Sequence, residues 1–488
     1  RQTWGRRFDF FLSIAGMTIG LGNIWRFPYL CYKNGGGVFL IPYILSVIVI
    51  GFPLFFLEAS FGQYVGQGMT KAWSMIPVMK GIGIANLMIT WYSNSVYGVV
   101  LAWACHYFFS SFSSVLPWTT CSNTWNTDNC VELVQTIFSH LNSKNKNYSI
   151  ISILLINFLY HRHQVLEKSS GIDFLGGIRW QIFFYLVGIW VIAYVCIFKG
   201  IKWSTKVWMD AVTQVYYSYG IGSGALVTLA SYNKFNHNVY RDSIMVALVN
   251  SGTSFISGFA VFSTLGFMAK QQNITMDAVA ESGPGLVFIV YPQALAMIPH
   301  SHFWSALFFL MIIFLGFDCL FVFQECLVVS IMDVFPWWYK KKWGREIIQG
   351  IFALLIVAMA TTMVTKGGIY VFVLMVDYAS GGWCLFFIGT CEFIGLAWVY
   401  GADKYYEHVT DMLSNFKAPW IKYCWKFFGP GASMSILIYW LTLYKPLTYK
   451  SYTYPLWAQV LGWCLGLSSC LWIPFIGILR FVQSNGSL

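Results

Sequence analysis

The sequence predicts an all-α polytopic membrane protein, and two observations predict this class: the composition and a series of long apolar segments. Of 488 residues, 57% are hydrophobic, 19% aromatic and only 10% charged. Ordinary soluble domains carry about 25% charged residues, and apolar runs of 18 residues or more indicate membrane spans. About eleven such segments are present, so we expect a single transmembrane domain over residues 1–488.

The formal net charge of +11 is assigned to basic cytoplasmic loops. No dense basic patch is interleaved with polar sequence, so nucleic acid is excluded as a partner. Arg1, Arg6 and Arg7 precede the first apolar segment and predict a cytoplasmic N-terminus. No signal peptide is visible, and the first span is expected to act as its own insertion signal.

The first span, residues 8–31, is interrupted by residues that a membrane helix disfavours. Gly16, Gly20 and Gly22 are joined there by Asn23 and Arg26. Glycine costs about 1 kcal/mol in a helix interior, and polar groups at membrane depth cost more. Irregular backbone is tolerated in a bilayer only where it is buried in protein or lines a cavity. The first span is therefore predicted to be a broken helix that turns backbone groups toward a ligand.

Further apolar segments follow in order, and one of them is also broken by glycines. That segment, 207–230, contains Gly220, Gly222 and Gly224. The predicted spans after the first are 38–61, 82–112, 178–198, 207–230, 243–268, 303–331, 347–365, 369–400, 433–443 and 454–481. The stretch 283–299 is too short and too rich in Pro and Gly to span, so residues 269–302 are predicted to form an extracellular loop with a re-entrant segment or cap.

The long polar loop at 114–177 has the features of an extracellular segment. Cys121 and Cys130 close a short polar stretch, and the glycosylation sequon at Asn147 follows. Disulfides persist in oxidising compartments, and sequons mark exposed loops of such proteins. We expect a Cys121–Cys130 disulfide. The other ten cysteines are interpreted as small apolar packing residues.

A count of eleven spans conflicts with the orientation that the basic loops predict. Counting from a cytoplasmic N-terminus, the basic stretches 340–345 and 404–426 would fall outside, against the positive-inside rule. One more crossing before Val207 would place both stretches inside and the second sequon, Asn273, outside. We therefore predict that one span is absent between Lys206 and Val207.

Two glycine-broken spans in one chain indicate a transporter with inverted repeats and a binding site near the membrane midplane. The half-helix ends would offer amides to an anionic group and carbonyls to a cation.

Several motifs resemble the sodium- and chloride-dependent neurotransmitter transporter family over nearly the whole chain. They are Gly-Leu-Gly-Asn-Ile-Trp-Arg-Phe-Pro-Tyr at 20–29, Asn-Gly-Gly-Gly at 34–37, the Cys-x8-Cys loop, Ser-Tyr-Asn-Lys-Phe at 231–235 and Glu-Ser-Gly-Pro-Gly-Leu at 281–286. The sequence is most similar to the branch that carries GABA, taurine, betaine and creatine. The family has twelve spans in two five-span inverted repeats plus two, so the resemblance implies that the fifth span is the missing one.

The resemblance implies three ion sites. A first sodium would be bound by the Thr18 carbonyl and the side chains of Asn23, Ser218 and Asn250. A chloride would be held by hydroxyl and amide groups, namely those of Tyr43, Gln214, Ser218, Asn250 and Ser254. A second sodium would take the carbonyls of Gly16, Ile19 and Leu315 together with Asp318 and the residue beside it. That residue is Cys319 here, and a thiol is a poor ligand for a hard cation, so the second site would be weakened or rely on Asp318.

The substrate site implied by the resemblance contains a glycine, Gly20, where the monoamine branch has an aspartate. Glycine leaves room for a solute carboxylate facing helix amides, sodium and Tyr97. A small zwitterionic solute is therefore favoured over a monoamine. The expected pocket residues are Met17, Gly20, Gly22, Tyr97, Tyr217, Gly220, Ser223 and Phe323.

Two gates are implied as well. The inner gate would pair Arg1 with Asp333 beside Trp4 and Tyr232. At the outer gate, Arg26 would meet an acid of span ten, but Val376 occupies the family's position and Asp377 lies one residue on. One residue is about 100° around a regular helix, which argues against an Arg26–Asp377 pair.

The predicted function is secondary active symport of an amino-acid-like solute across the plasma membrane, driven by Na+ and Cl− gradients. The alternative is a non-transporting truncated isoform or an orphan membrane protein that binds or regulates a full-length transporter. An enzyme is not predicted, because no nucleophile–base set or metal-ligand cluster is visible. The sequence does not decide which solute is carried or whether the protein, in its lipid environment, forms a homo-oligomer.

Overall fold

The computed structural model describes residues 4, 7–33, 39–121, 123–126, 160–169, 171–173, 176–197, 212–272, 287–288, 291–296, 299–414, 416–442, 444, 446–449 and 452–483. The described chain is helical, with one two-stranded hairpin, β1 Thr448–Tyr449 and β2 Tyr452–Thr453. Its helices are α1 Arg7–Thr18, α2 Leu21–Lys33, α3 Leu40–Ser46, α4 Phe52–Val65, α5 Met69–Ala72, α6 Gly81–Ser110, α7 Trp180–Ile197, α8 Val212–Ser218, α9 Ala225–Ala230, α10 Val239–Gln272, α11 Tyr291–Ala296, α12 Ser301–Val334, α13 Gly344–Thr362, α14 Gly368–Leu374, α15 Trp383–Phe393, α16 Ala402–Leu413, α17 Pro419–Tyr423, α18 Gly429–Thr442, α19 Leu456–Cys470 and α20 Trp472–Gln483.

Each of the eleven predicted spans coincides with a helix or with a pair of helices in the described chain. Five of these helices are long and apolar enough to cross a membrane by themselves, and the pair α19–α20, bent by 44°, makes a sixth. The predicted first span corresponds to α1 and α2, and the predicted span 207–230 to α8 and α9. The two glycine-broken segments are thus broken helices, as predicted.

Several spans contain a wider π-helical turn. Within spans they occur at Val47–Gly51, Met375–Ala379 and Ile394–Val399, and two more lie outside the predicted spans, at Tyr160–Val165 in the loop 114–177 and at Cys424–Phe428 before α18. The turn at Met375–Ala379 directly continues α14 and is followed by Ser380, Gly381 and Gly382 before α15 begins. A π turn accommodates one extra residue in a helix and is frequent at functional sites. The span 368–399 is therefore not a regular helix at its centre.

The helices pack around a buried centre and present apolar side chains outward. The helix α6 contacts α12, α7 and α13, while α1 and α4 both contact α10. On the outer face of α10, Leu248, Ile256 and Phe259 are exposed, the last by 76%. Large apolar side chains on a helix surface are expected where lipid replaces water as the solvent.

Some predicted features fall outside the described residues. These are Arg1, Cys130, the two sequon residues Asn147 and Asn273, the motifs at 34–37 and 281–286, and the junction at 206–207. Cys121 lies within the described part and is disulfide-bonded. The pairing with Cys130 stays a prediction.

Candidate functional site

The two broken helices are held at their interruptions by the helices around them. In the first, α1 ends at Thr18 and α2 begins at Leu21, and the Asn23 amide donates to the Gly20 carbonyl across 3.0 Å. In the second, the chain between α8 and α9 takes positive φ at Gly220, Gly222 and Gly224, with values of 61°, 76° and 71°. Residues with a Cβ rarely adopt this conformation, so the three glycines are what allows the interruption.

A buried acid satisfies the second interruption. The Glu58 carboxylate of α4 accepts a hydrogen bond from the Gly222 amide at 2.6 Å. Glu58 is fully buried and neighbours Glu392, whose carboxylate accepts a bond from the Asn86 side chain at 3.0 Å. An unpaired amide at this depth would carry a desolvation cost, so Glu58 stabilises the unwound segment.

Three of the residues predicted for the first sodium form one buried chain of hydrogen bonds. The Asn23 side-chain amide donates to Asn250 Oδ1 at 2.9 Å, and the Asn250 amide donates to Ser218 Oγ at 2.5 Å. All three residues are fully buried. The remaining acceptor, Asn23 Oδ1, is buried and has no hydrogen-bond partner among the described residues. A buried oxygen without a partner is rare, and neutral oxygens are the ligand type that a hard cation prefers.

The residues predicted for chloride surround the same chain. Tyr43, Gln214 and Ser254 are fully buried, and the Tyr43 hydroxyl is hydrogen-bonded to Ser251 and Ser254. Gln214 lies one helical turn before Ser218 in α8. Both polar atoms of its side-chain amide are buried without a partner in the described chain. An unpaired amide donor beside hydroxyl donors suits an anion, and no acidic side chain belongs to this set.

The residues predicted for the second sodium lie on α1 and α12, which contact each other. The Cys319 thiol donates a hydrogen bond to the Leu315 carbonyl at 3.5 Å, so two of the predicted sodium ligands are bonded to each other. The Asp318 carboxylate has no ion pair or hydrogen bond to any described residue. The geometry is thus consistent with a site that depends on Asp318.

A narrow cavity lies among the helices α6, α8, α12, the second interruption and the span 368–399. Its volume is about 330 Å³, including the part that is open to solvent. Four predicted substrate residues line it, namely Tyr97, Gly220, Ser223 and Phe323. The other lining residues were not predicted; they are Ile89, Ser93, Tyr216, Ile221, Ser380 and Leu385.

The structure describes the surroundings of two of the other four predicted substrate residues, Met17 and Gly20. Met17 and Gly20 are buried, but they are not among the lining residues of the cavity. Gly22 and Tyr217 belong to α2 and α8, and their surroundings lie outside the described part of the chain. The cavity therefore extends toward α6 and the span 368–399 rather than toward α1. That Met17, Gly20, Gly22 and Tyr217 contact the substrate stays a prediction.

One premise of the argument against an Arg26–Asp377 pair does not hold in the structure. That argument assumed a regular helix around Asp377, but Asp377 lies inside the π turn Met375–Ala379. The extra residue of the π turn changes the direction of the side chains that follow Met375. The Arg26 charge acts on the Asp377 carboxylate. Whether the two side chains pair directly stays a prediction.

On the side of the predicted inner gate, a different acid makes the principal contacts. The Trp4 ring packs edge-on against Tyr232 at 5.5 Å, as expected. The Tyr232 hydroxyl donates to Glu325 at 2.9 Å, and Glu325 also pairs with Arg345. The predicted gate residue Asp333 accepts bonds from the Gly68 amide at 2.6 Å and from the Tyr339 hydroxyl at 2.8 Å.

The sequence analysis missed three buried acids that support this site: Glu58, Glu325 and Glu392, all fully buried. A visible signal was available, because each stands inside a long apolar run, where an ionisable residue is a functional hypothesis by default. The missed cavity residues gave no such signal, since serine and isoleucine are common in membrane helices.

Two interrupted helices that bring unpaired buried oxygens to one place, in an all-helical membrane protein, define the class of secondary transporters with discontinuous helices. The chain belongs to the sodium:neurotransmitter symporter family, whose model matches residues 1–207 and 203–484. It is therefore a multi-pass membrane transporter and not an enzyme.

Relatives with assigned functions match over the whole chain. The rat sodium- and chloride-dependent GABA transporter 2 is 42% identical, covering 100% of this chain and 88% of its own length. The mouse sodium- and chloride-dependent creatine transporter 1 is 41% identical over 100% and 84%. The bovine sodium- and chloride-dependent taurine transporter is 41% identical over 100% and 86%.

The same comparisons bear on the predicted missing span. The rat alignment runs over 536 positions and includes all of this chain, which has 488 residues, so at least 48 positions hold no residue of this chain. The family model also matches in two parts, which meet at residues 203–207. That is the junction at which the orientation of the basic loops places an absent crossing.

Proposed function

We propose that this chain is a plasma-membrane symporter that couples Na+ and Cl− gradients to the uptake of a small zwitterionic solute of the GABA, taurine, betaine or creatine type. Family membership and the sodium- and chloride-dependent relatives support this proposal. The N-terminus would face the cytoplasm, because the first basic residues precede the first span.

The observation that carries the proposal is the unpaired oxygen of Asn23 at the meeting point of the two broken helices. Asn23 follows the first interruption, Ser218 precedes the second, and Asn250 bonds to both. A cation bound at Asn23 Oδ1 would satisfy a buried acceptor and hold both interruptions in one arrangement. Sodium binding would in this way order the backbone that faces the solute.

Chloride would bind beside the first sodium, in the same network of hydrogen bonds. Ser218 and Asn250 belong to both predicted ion sets, and the unpaired Gln214 amide offers a donor. An anion close to the first sodium compensates its charge in a medium of low dielectric constant. We infer a second sodium at Asp318 with the carbonyls of Gly16, Ile19 and Leu315, weakened by the thiol of Cys319.

The solute would lie with its carboxylate toward Gly20, the sodium and Tyr97, and with its cationic end in the cavity. No acidic side chain is among the described residues that line the cavity. A monoamine, which needs a carboxylate partner in the site, is therefore disfavoured, and a zwitterion that carries its own carboxylate is favoured.

Uptake of radiolabelled GABA, taurine, betaine, creatine and glycine into cells that express the chain tests the proposal. Replacing Na+ by N-methylglucamine, or Cl− by gluconate, should reduce uptake of the solute to the level of untransfected cells. Uptake that is insensitive to both replacements would contradict coupling to these ions. Equilibrium binding on the purified chain, with and without Na+, separates loss of transport from loss of the site.

A second candidate function follows from the predicted absence of one membrane span from this chain. A symporter that lacks one crossing of its first repeat retains ion-site residues but not the full scaffold for alternating access. Such a chain would bind solute and regulate a full-length transporter by assembling with it. Sodium-dependent binding without uptake, together with recovery of uptake when a family fifth span is inserted at 206–207, would favour this function. Sodium-dependent uptake by the unmodified chain would exclude it.

A further inference from the structure

Among the described residues that line the cavity, Ser380 has an unusual side chain. Ser380 is only 2% exposed, and its hydroxyl is buried with no hydrogen-bond partner in the described structure. Buried hydroxyls are nearly always paired. A free hydroxyl in the wall of a cavity therefore marks a position where a bound molecule would complete the hydrogen bonding.

The backbone around Ser380 holds this hydroxyl in place. The Ser380 amide donates to the Met375 carbonyl at 3.0 Å, which closes the π turn. The Ser380 carbonyl accepts a bond from the Ser93 hydroxyl of α6 at 3.3 Å. Two residues later Gly382 has φ of 58°, and a Cβ there would lie 2.6 Å from the Asp377 carbonyl. The break in the span thus fixes the backbone and leaves the side-chain hydroxyl for the cavity.

The other serines of the cavity use their protons within the protein. The Ser223 hydroxyl donates to the Gly220 carbonyl at 2.5 Å, and the Ser93 hydroxyl donates to the Ser380 carbonyl. The Tyr216 hydroxyl is bonded to the Ser433 hydroxyl at 2.8 Å. Of these groups, Ser380 alone keeps both lone pairs and its proton for a ligand.

The chemistry of the wall indicates which end of the solute Ser380 would meet. The carboxylate end is assigned to the sodium and Tyr97 by the proposed function, on which this inference rests. The cationic end then faces oxygen acceptors and aromatic rings, since the described part of the cavity wall contains no acidic side chain. The Phe323 ring in the cavity wall attracts any cation by its charge. A hydroxyl oxygen, in contrast, accepts only from a cation that carries N–H groups.

We propose that Ser380 is a specificity-determining residue that accepts a hydrogen bond from the primary ammonium group of the solute. It thereby favours ω-amino acids over solutes whose nitrogen is fully methylated. A trimethylammonium group has no N–H donor, so it would leave the Ser380 oxygen unpaired and gain nothing from it.

The test compares 4-aminobutyrate with its N-trimethylated analogue, 4-(trimethylammonio)butyrate, on the purified full chain in Na+ and Cl−. The variants are Ser380→Ala and the matched control Ser469→Ala. Ser469 is also fully buried with an unpaired hydroxyl, but it does not line the cavity. Equilibrium binding gives the Kd of each solute, and thermal unfolding of each variant checks that the fold is retained.

We expect Ser380→Ala to weaken 4-aminobutyrate binding about ten-fold, the effect of one hydrogen bond to a charged group. The same substitution should change the Kd of the trimethylated solute by less than about two-fold, and Ser469→Ala should change neither. Equal losses for both solutes, or losses no larger than those of Ser469→Ala, would overturn the inference.

Binding to the wild-type chain distinguishes this inference from the proposed function. A wild-type chain that binds betaine or creatine with Na+ but not 4-aminobutyrate would overturn the role of Ser380 and leave the symporter proposal standing. A wild-type chain that binds no zwitterion in a sodium-dependent manner would overturn both.

Discussion

The Glu58 carboxylate accepts a hydrogen bond from the Gly222 amide at 2.6 Å, so a side chain of one span completes the backbone of another. Gly222 has φ of 76°, and its amide lies in the interruption between α8 and α9. Backbone that leaves the helix within a membrane needs such a partner. The interruption beside the predicted ion residues therefore depends on a contact between two spans and not on the broken span alone.

This contact predicts different effects for two substitutions of Glu58. Glu58→Gln keeps a carbonyl oxygen for the Gly222 amide and should reduce sodium-dependent solute binding by less than about five-fold. Glu58→Leu leaves the amide buried and unpaired, at a cost of about 1–3 kcal/mol, and should reduce binding more than ten-fold. Binding is measured on purified protein with and without Na+, and equal effects of Gln and Leu would refute the role of the carbonyl oxygen.

Asn23 provides a second prediction, because its Oδ1 is the unpaired oxygen of the sodium set. Asn23→Leu removes this oxygen with little change in volume, and the Na+ concentration for half-maximal solute binding should rise at least ten-fold. Asn94→Leu is the matched control: Asn94 is also fully buried with an unpaired Oδ1, but belongs to no predicted ion set. A similar rise in both variants would show that the effect is one of folding.

The Arg26–Asp377 interaction predicts a charge-dependent gate. Asp377→Asn removes the negative charge that acts with the Arg26 charge. Solute uptake should fall more than ten-fold while sodium-dependent binding persists. The exchange Arg26→Asp with Asp377→Arg should recover part of the uptake. No recovery, with the exchanged protein correctly folded, would argue against a direct interaction.

A substitution of Cys319 is expected to strengthen sodium binding, whereas the substitutions above weaken binding or uptake. Cys319→Ser replaces a soft sulfur by a hard oxygen beside Asp318, so the second sodium should bind more tightly. We expect the half-maximal Na+ concentration to fall about two- to five-fold and the Hill coefficient for Na+ to rise. Cys326→Ser on the same helix is the control, since Cys326 is fully buried and bonds weakly to the Ala225 carbonyl at 3.9 Å. A fall of equal size in Cys326→Ser would remove the support for a second site.

Much of the architecture was predictable because a membrane span is a local property of the sequence. Length and apolarity gave every span that the described chain contains, and glycines at unfavourable positions gave both broken helices. The ion residues Asn23, Ser218 and Asn250 were predictable from the family motifs, and the structure brings them together across 2.5–2.9 Å. The uncommon polar residues in apolar surroundings carried most of this information.

The sequence by itself determined that this protein is a helical membrane transporter with two interrupted spans, because those features depend on neighbouring residues. Only the tertiary structure decided that Asp377 lies in a π turn, where regular helical spacing does not hold. It also decided that Glu58 supports Gly222 and that Ser380 presents a free hydroxyl to the cavity. The last two depend on which helices meet, and residues more than 100 positions apart in the chain carry no local signal of their contact.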